Sequence, residues 1–220
     1  MSKNVLVIGL GGVGGICAEM IVRAGIEKMT IVDNDTIDAS NINRQIPALH
    51  STIKKSKAQV LAARLLDINP LLELTIVEVF VEDESMIALI EKESWDYVVD
   101  CIDTLSAKVE LIKGCIDRKL NIVSSMGAGG KLDPSQIKVT DLSKTYECNL
   151  ARYVRKRLQA LGIKKGLKVV FSSEKPDQSR IIETENAYPK KSIIGTLSYM
   201  PAIFGCTVAS VVIRDLMAID

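Results

Sequence analysis

The chain has 220 residues, 47% of them hydrophobic and 25% charged, enough for one globular domain of generous size, or a domain with a small appendage, that needs no staple to complete a core. Its formal net charge is +1, which argues against wholesale attraction to nucleic acid or to a membrane surface and leaves room only for a local basic face. The five cysteines, Cys17, Cys101, Cys115, Cys148 and Cys206, contain no C-x-x-C pair; they suggest neither a disulfide framework nor a four-thiolate zinc site, and they fit a reducing cytoplasm.

Val5-Leu6-Val7-Ile8 reads as a buried strand; because it begins so soon after Met1, no room for a signal or transit peptide is expected. It runs into Gly9-Leu10-Gly11-Gly12-Val13-Gly14-Gly15 and then into a helix-like Ile16 to Ala24: strand, tight turn, helix N-terminus. Glycines let the backbone take positive φ and approach a ligand, while the first-turn amides and the helix dipole favour negative charge, so this is a place for a phosphate. The spacing Gly9-x-Gly11-x-x-Gly14 is followed by a second strand, Met29 to Val32, ending on Asp33, which would accept hydrogen bonds from ribose hydroxyls. The glycines mark the fold strongly and the cofactor weakly, since every nucleotide has phosphates and a ribose.

The stretch Thr36 to Gln45 is too rich in Asn, Asp and Ser for a helix interior and reads as a loop that places side chains. A helix follows, with Ser56 as its cap and Asn69-Pro70 as its stop. Leu74 to Phe80 is expected as a strand, Val81 to Glu93 as a short amphipathic helix, and Tyr97 to Asp103 as a buried strand with an acid at its carboxyl end. Thr104 is expected to cap a helix running through Arg118, and Asn121 to Ser125 to form a fifth strand. From Lys131 onward the pattern changes to a strand over Gln136 to Thr140, a helix over Tyr146 to Leu161, a strand over Leu167 to Phe171, an irregular, mobile stretch over Glu174 to Lys191, and a last helix from about Met200 to Ile219. The uncharged run Ser192 to Ile213 raises a transmembrane helix, but Gly195, Pro201 and Gly205 within it favour a helix buried against the sheet or a subunit, and no membrane association is expected.

The alternation of strand and helix predicts an α/β fold: a doubly wound, mostly parallel, Rossmann-like sheet with a C-terminal antiparallel extension, and ligands at the carboxyl ends of the strands. Residues 1–145 are expected to form a nucleotide-binding core, and residues 146–220 an extension packed on the same domain. A dinucleotide needs no pair of cations and no second acid beyond Asp33. A triphosphate uses all three: a guanidinium fork such as Arg44 on phosphoryl oxygens, a point charge such as Lys57, and a carboxylate such as Asp103 for Mg²⁺. ATP is thereby favoured over NAD, which would leave Arg44, Lys57 and Asp103 without work; a solvated surface pair is the bland alternative for the two cations.

Gly9-x-Gly11-Gly12-Val13-Gly14, Asp33-x-Asp35, Asn41-x-Asn43-Arg44-Gln45, Ser56-Lys57 and Asp100-Cys101-Ile102-Asp103 resemble, in order and spacing, the adenylation domain of ubiquitin-activating-type enzymes and their bacterial relatives of the molybdopterin and thiamine pathways. Within that group, the stretches Gly127 to Ile137, Val139 to Thr145 and Val170 to Pro176 are similar to the tRNA threonylcarbamoyladenosine dehydratase family. The resemblance covers nearly the whole chain. It implies that the threonyl carboxylate on the modified base at position 37 of tRNA attacks the α-phosphate of ATP, pyrophosphate leaves, and the acyl-adenylate closes to a cyclic form with release of AMP. It also implies that Gly9, Gly11, Gly12 and Gly14 cradle phosphate, Asp33 holds ribose, Asn41, Arg44 and Lys57 hold the triphosphate, and Asp103 holds Mg²⁺, with Arg44, Lys57 and Asp103 catalytic; Gln45 is carried over from the same motif. Family habit and the apolar last helix imply a homodimer.

The family carries a turn or two of helix and an arginine before its first strand; a chain that starts almost on that strand is expected to be a shortened piece, part of a gene, or a form lacking that arginine, each of which puts full activity in doubt. The zinc-binding cysteine pairs of the sulfur-carrier activators are absent. Two alternatives stay open: adenylation of the C-terminal glycine of a small ubiquitin-like sulfur carrier, and a catalytically impaired nucleotide-binding partner of a sulfur-transfer protein. Between Asn149 and Ser173 lie seven cations, Arg152, Arg155, Lys156, Arg157, Lys164, Lys165 and Lys168, and no acid, a candidate surface for a phosphate backbone against the blander reading of a solvated helix face. Cys148 falls where some relatives carry a reactive thiol, but an intramolecular cyclisation needs no thioester. His50, the only histidine, has no evident partner.

Overall fold

The computed structural model describes residues 2–81, 83–175, 181–183 and 192–218. A seven-stranded sheet forms its middle, built from β1 (Asn4–Ile8), β2 (Lys28–Val32), β3 (Glu73–Val77), β4 (Tyr97–Asp100), β5 (Ile122–Ser125), β6 (Ile137–Asp141) and β7 (Lys168–Ser172). Their order is β3-β2-β1-β4-β5-β7-β6, with every neighbouring pair parallel except the antiparallel β6 and β7. This is the expected doubly wound fold with an antiparallel edge. The final strand to arrive, β7, inserts between β5 and β6.

Apolar runs make these strands because both faces of the sheet are covered. Successive side chains point to opposite faces. Val5 and Val7 pack into one core with α1 (Gly14–Arg23), α2 (Lys57–Ile68) and α6 (Tyr199–Leu216), whereas Leu6 and Ile8 pack into the other with α3 (Asp83–Glu91), α4 (Leu105–Asp117) and α5 (Asn149–Ala160). Ser56 caps α2, its hydroxyl accepting from the Gln59 amide. Thr104 stands at the N-cap of α4, but its side chain makes no capping bond.

The strand expected over Tyr97 to Asp103 ends at Asp100, and three further differences from the sequence expectation have a visible cause. The β3 strand stops at Val77, where the Val77 carbonyl accepts from the Asp33 amide, and the chain then leaves the sheet, so Val79 and Phe80 end half exposed. Helix α5 begins at Asn149 rather than Tyr146: the Tyr146 ring packs edge-on against Phe171 at 5.6 Å, and Glu147 takes a positive φ of 49°. Within the stretch expected to be irregular and mobile, Ile181–Glu183 (β8) and Ser192–Ile194 (β9) pair antiparallel, while residues 176–180 and 184–191 lie outside the described residues. The long apolar helix α6 packs on α1, where a Cβ at Gly205 would stand 2.5 Å from the Val13 carbonyl oxygen. With mean hydropathy 1.3 it is apolar enough to cross a bilayer by composition, yet Met200, Phe204, Val208 and Val212 are fully buried inside the fold.

Candidate active site

Strand order reverses between β1 and β4, so the loops leaving these two strands part in opposite directions and a cleft opens at their carboxyl ends. Gly9, Gly11, Asp33, Asp35, Lys57 and Asp103 line it, with Val79, Phe80, Val81 and Ile102 supplying apolar wall.

Its floor is the glycine turn. Gly9 has φ +87°, and a Cβ there would stand 2.7 Å from the Cys101 carbonyl oxygen; at Gly14 a Cβ would meet the Gly9 carbonyl oxygen at 1.7 Å. The turn therefore exists only with glycine at both places. It delivers the chain into α1, whose N-cap Val13 offers no side-chain cap and whose first turn carries no acid. A helix N-terminus left in that state, opening on a cleft, favours an anion.

At the tip of β2, Asp33 is held by two backbone amides: Oδ2 accepts from Leu10 at 2.6 Å and Oδ1 from Asp35 at 2.8 Å. Burial pushes its carboxyl up from the ordinary range, and the two amides and the nearby Lys57 charge pull the other way. Each oxygen keeps acceptor capacity for a hydroxyl. Lys57 is the first residue of α2, buried, and its ammonium donates to Asp35 Oδ2 at 2.7 Å. Spacing alone does not reveal that partner, which lies 22 residues upstream.

Asn41, Arg44 and Gln45 come from a neighbouring loop that packs against the glycine turn rather than lining the cleft. Asn41 closes a turn of 3-10 helix, its Oδ1 accepting from the Asp38 amide at 3.1 Å. The Arg44 carbonyl oxygen would stand 3.2 Å from a Cβ at Gly12, while its guanidinium donates to the Ser40 carbonyl and to Asn43 Oδ1, both at 2.8 Å. Gln45 is buried beside Gly11, and its Oε1 has no hydrogen-bond partner among the described residues.

Asp103 is exposed on the loop from β4 to α4. That loop is anchored from below. Asp100 Oδ1 accepts from the Ile102 amide at 3.0 Å; its Oδ2 accepts from Lys108 Nζ at 2.7 Å and from the Ser124 hydroxyl, and Lys108 also donates to the Ser125 carbonyl at 3.0 Å. Asp100 and Lys108 are fully buried. Among the described residues no group of three or more His, Cys, Asp or Glu side chains gathers to hold a metal. Mg²⁺ does not need one, because it takes one or two carboxylates and completes its shell with phosphate oxygens and water; an exposed Asp103 beside a phosphate floor fits that donor set.

Phe80 and Lys108 are additions from the fold, and Asp35, named in the sequence only within the Asp33-x-Asp35 motif, gains a partner in Lys57. Phe80 is 51% exposed at the cleft rim, a flat apolar surface of the kind a purine ring covers. Cys148 is buried away from the cleft, beside Gly127. Close by, the buried Lys131 ammonium donates to the Glu147 and Glu174 carbonyls, and desolvation holds it below the ordinary lysine range.

Comparison with known proteins gives a consistent picture. A model of the ThiF family matches residues 1–219. The chain is 35% identical over 223 residues to the tRNA threonylcarbamoyladenosine dehydratase of Bacillus subtilis, covering 98% of this chain and 87% of that one. It is 36% identical over 232 residues to the Escherichia coli protein of the same name, covering 98% and 86%. The crystal structure of E. coli tRNA N6-threonylcarbamoyladenosine dehydratase, TcdA, in complex with ATP matches with a TM-score of 0.87 at 36% identity, over 98% of this chain and 86% of the other.

Proposed function

The chain belongs to the ThiF family, and from that premise we propose that it is an ATP-dependent tRNA-modifying dehydratase: it adenylates the threonyl carboxylate of N6-threonylcarbamoyladenosine in tRNA and cyclises the product. What supports the reading at the level of residues is the meeting, in one cleft, of a glycine floor, a ribose-height acid, a buried lysine and an exposed acid.

A carboxylate is a poor electrophile because its leaving group would be an oxide. Transfer to AMP replaces that with a phosphate, after which the base's own side chain can close on the acyl carbon and AMP departs. Gly9, Gly11, Gly12 and Gly14 shape the turn on which the phosphates lie, so that the amides opening α1 face them. Asp33 accepts from ribose hydroxyls while Leu10 and Asp35 keep its oxygens oriented. Lys57 leaves Asp35 for a phosphoryl oxygen, and Arg44 swings from Ser40 and Asn43 onto the pyrophosphate as negative charge grows there. Asn41 holds the loop that carries Arg44, and the Gln45 Oε1, buried and without a partner beside Gly11 among the described residues, is placed to accept from a donor group when the site fills. Mg²⁺ on Asp103 would neutralise charge across the outer phosphates. We extend the proposal to a cytoplasmic homodimer, since the outer face of α6 carries Ile203, Cys206, Thr207 and Ser210, small or apolar side chains only partly covered in one chain.

The deciding experiment incubates the protein with ATP, Mg²⁺ and tRNA bearing the open threonylcarbamoyl base and weighs that base: loss of one water is expected. Release of AMP without that change, or pyrophosphate exchange that needs a carrier protein instead of tRNA, overturns the tRNA assignment. Asp103→Ala and Arg44→Ala are each expected to abolish pyrophosphate release in a folded protein; near-normal turnover in both removes them from the site.

A further inference from the structure

The outward face of α5 belongs to none of the machinery above. The helix buries Ala151, Val154 and Leu158 and turns Arg152, Tyr153, Lys156 and Arg157 to solvent. Of the seven cations between Asn149 and Ser173, Arg155 donates to the Thr145 carbonyl at 2.8 Å, Lys168 pairs with Asp215 at 2.6 Å, and Arg157 reaches only a neutral hydroxyl. Arg152, Lys156, Arg157, Lys164 and Lys165 make no ion pair among the described residues, whereas Lys3, Arg23, Lys28 and Lys113 elsewhere on the surface each meet a carboxylate.

Helix stability does not account for this charge. Cations suit a helix C-terminus, but Arg152 sits near the N-terminal end, where the dipole opposes it, and no acid occupies the first turn to offset it. The face also carries aromatic surface: the Arg152 guanidinium lies over the Tyr153 ring at 4.9 Å, and at the adjoining β6 edge Lys138 lies over the Tyr146 ring at 5.4 Å, with both rings about half exposed. Uncompensated cations interleaved with open rings suit a phosphodiester backbone with unstacked bases. The face is also continuous with the cleft. Arg157 donates to the Ser106 hydroxyl at 3.2 Å, and Ser106 lies two residues beyond Thr104 on the cleft wall.

We propose that the outer face of α5, led by Arg152 and Lys156 with the Tyr153 ring beside them, is the surface that grips the RNA substrate and leads its anticodon loop over the β4–α4 corner into the cleft. This rests on the tRNA reading above.

The test uses the full chain and labelled tRNA. Arg152→Glu/Lys156→Glu is expected to weaken tRNA binding by about tenfold or more and to lower the slope of log affinity against log salt by roughly one per residue. The KM for tRNA should rise, with ATP affinity and thermal midpoint unchanged. Lys92→Glu, an exposed cation after α3 at the opposite end of the sheet, serves as the control. The proposal is overturned if the double variant binds tRNA with unchanged affinity and salt slope, if Lys92→Glu matches its loss, or if the variant loses binding to anionic lipid vesicles while keeping tRNA. A wild-type protein that binds tRNA but cyclises no base counts against the reaction, not against this surface; an active wild type with an equally active double variant at low tRNA concentration does the reverse.

Discussion

Lys108 and Asp100 meet at 2.7 Å with neither side chain exposed, whereas Lys57 and Asp35 meet at the same distance with the lysine 7% and the aspartate 62% exposed. Both pairs stand at the carboxyl end of the sheet, one beneath the cleft and one in it. In the first, four further bonds to Ile102, Ser124 and Ser125 engage both carboxylate oxygens and the ammonium, and full burial keeps bulk solvent from replacing a lost partner. In the second, water already solvates Asp35, so its separation from Lys57 costs little. Equal distances thus hide different jobs. A sealed pair fixes the loop carrying Asp103, and an open pair stores a cation that a phosphate can claim.

The largest effect expected from breaking this contrast is in the sealed pair. Lys108→Met should cost about 3–5 kcal/mol, because it strands the Asp100 carboxylate in the core, and urea unfolding should show that as a large fraction of total stability. Lys57→Met should lower the unfolding free energy read from urea titration by less than about 1 kcal/mol yet slow pyrophosphate release by about 10²–10³-fold, the scale of losing one charge-stabilising donor. A collapse in stability with Lys57→Met would erase the distinction. Glu19 sharpens it from between: its side chain is 6% exposed but its partners Arg23 and Arg64 are 50% exposed. The hydrogen bond from Arg64, with Arg23 adding to it, holds the Glu19 carboxyl below its ordinary 4.5. A lowered folded-state pKa means the contribution is complete above pH 4.5 and disappears as pH falls through the folded value. Glu19→Gln should therefore cost about 1–2 kcal/mol at pH 7 and converge on wild type in acid, measured by denaturant titration across pH. Smallest is Asp35→Asn, which frees Lys57 of its resting partner. ATP should bind up to about fivefold tighter by calorimetry, with the fold unmoved; weaker binding would mean Asp35 serves the ligand directly.

The sheet and its helices were legible because their signals are local: β1 through α1 is an apolar run, a glycine turn and a helix within 20 residues, and the alternation of strand and helix predicts a mostly parallel sheet, though not the insertion of β7 between β5 and β6. Gly9, Gly11, Asp33, Lys57 and Asp103 were legible as cleft residues because strand tips in such a sheet converge. What was hidden depends on distant partners. Asp100 reads as a strand-tip acid of the same kind as Asp103, and only the approach of Lys108 from the next helix and Ser124 from the next strand shows it to be core. The strand expected to Phe80 ended at Val77 because apolar Val79 and Phe80 line a cleft instead of continuing the sheet, and in a string of letters an apolar cleft wall looks like an apolar strand. The basic run after Asn149 was visible as composition, but its division into Arg155 and Lys168, spent internally, and Arg152 and Lys156, left outward, required the fold.

The insertion of β7 between β5 and β6 governs the order of events during synthesis. While a nascent chain has emerged only as far as Asp141, β5 ends the sheet with one flank bare and β6 has no strand to lie against, because the segment that fills both vacancies begins at Lys168. A ribosome stalled after Asp141 but before Ser172 has cleared its exit tunnel thus holds a polypeptide with two unsatisfied strand edges, a prime client for a holding chaperone and a poor candidate for autonomous folding.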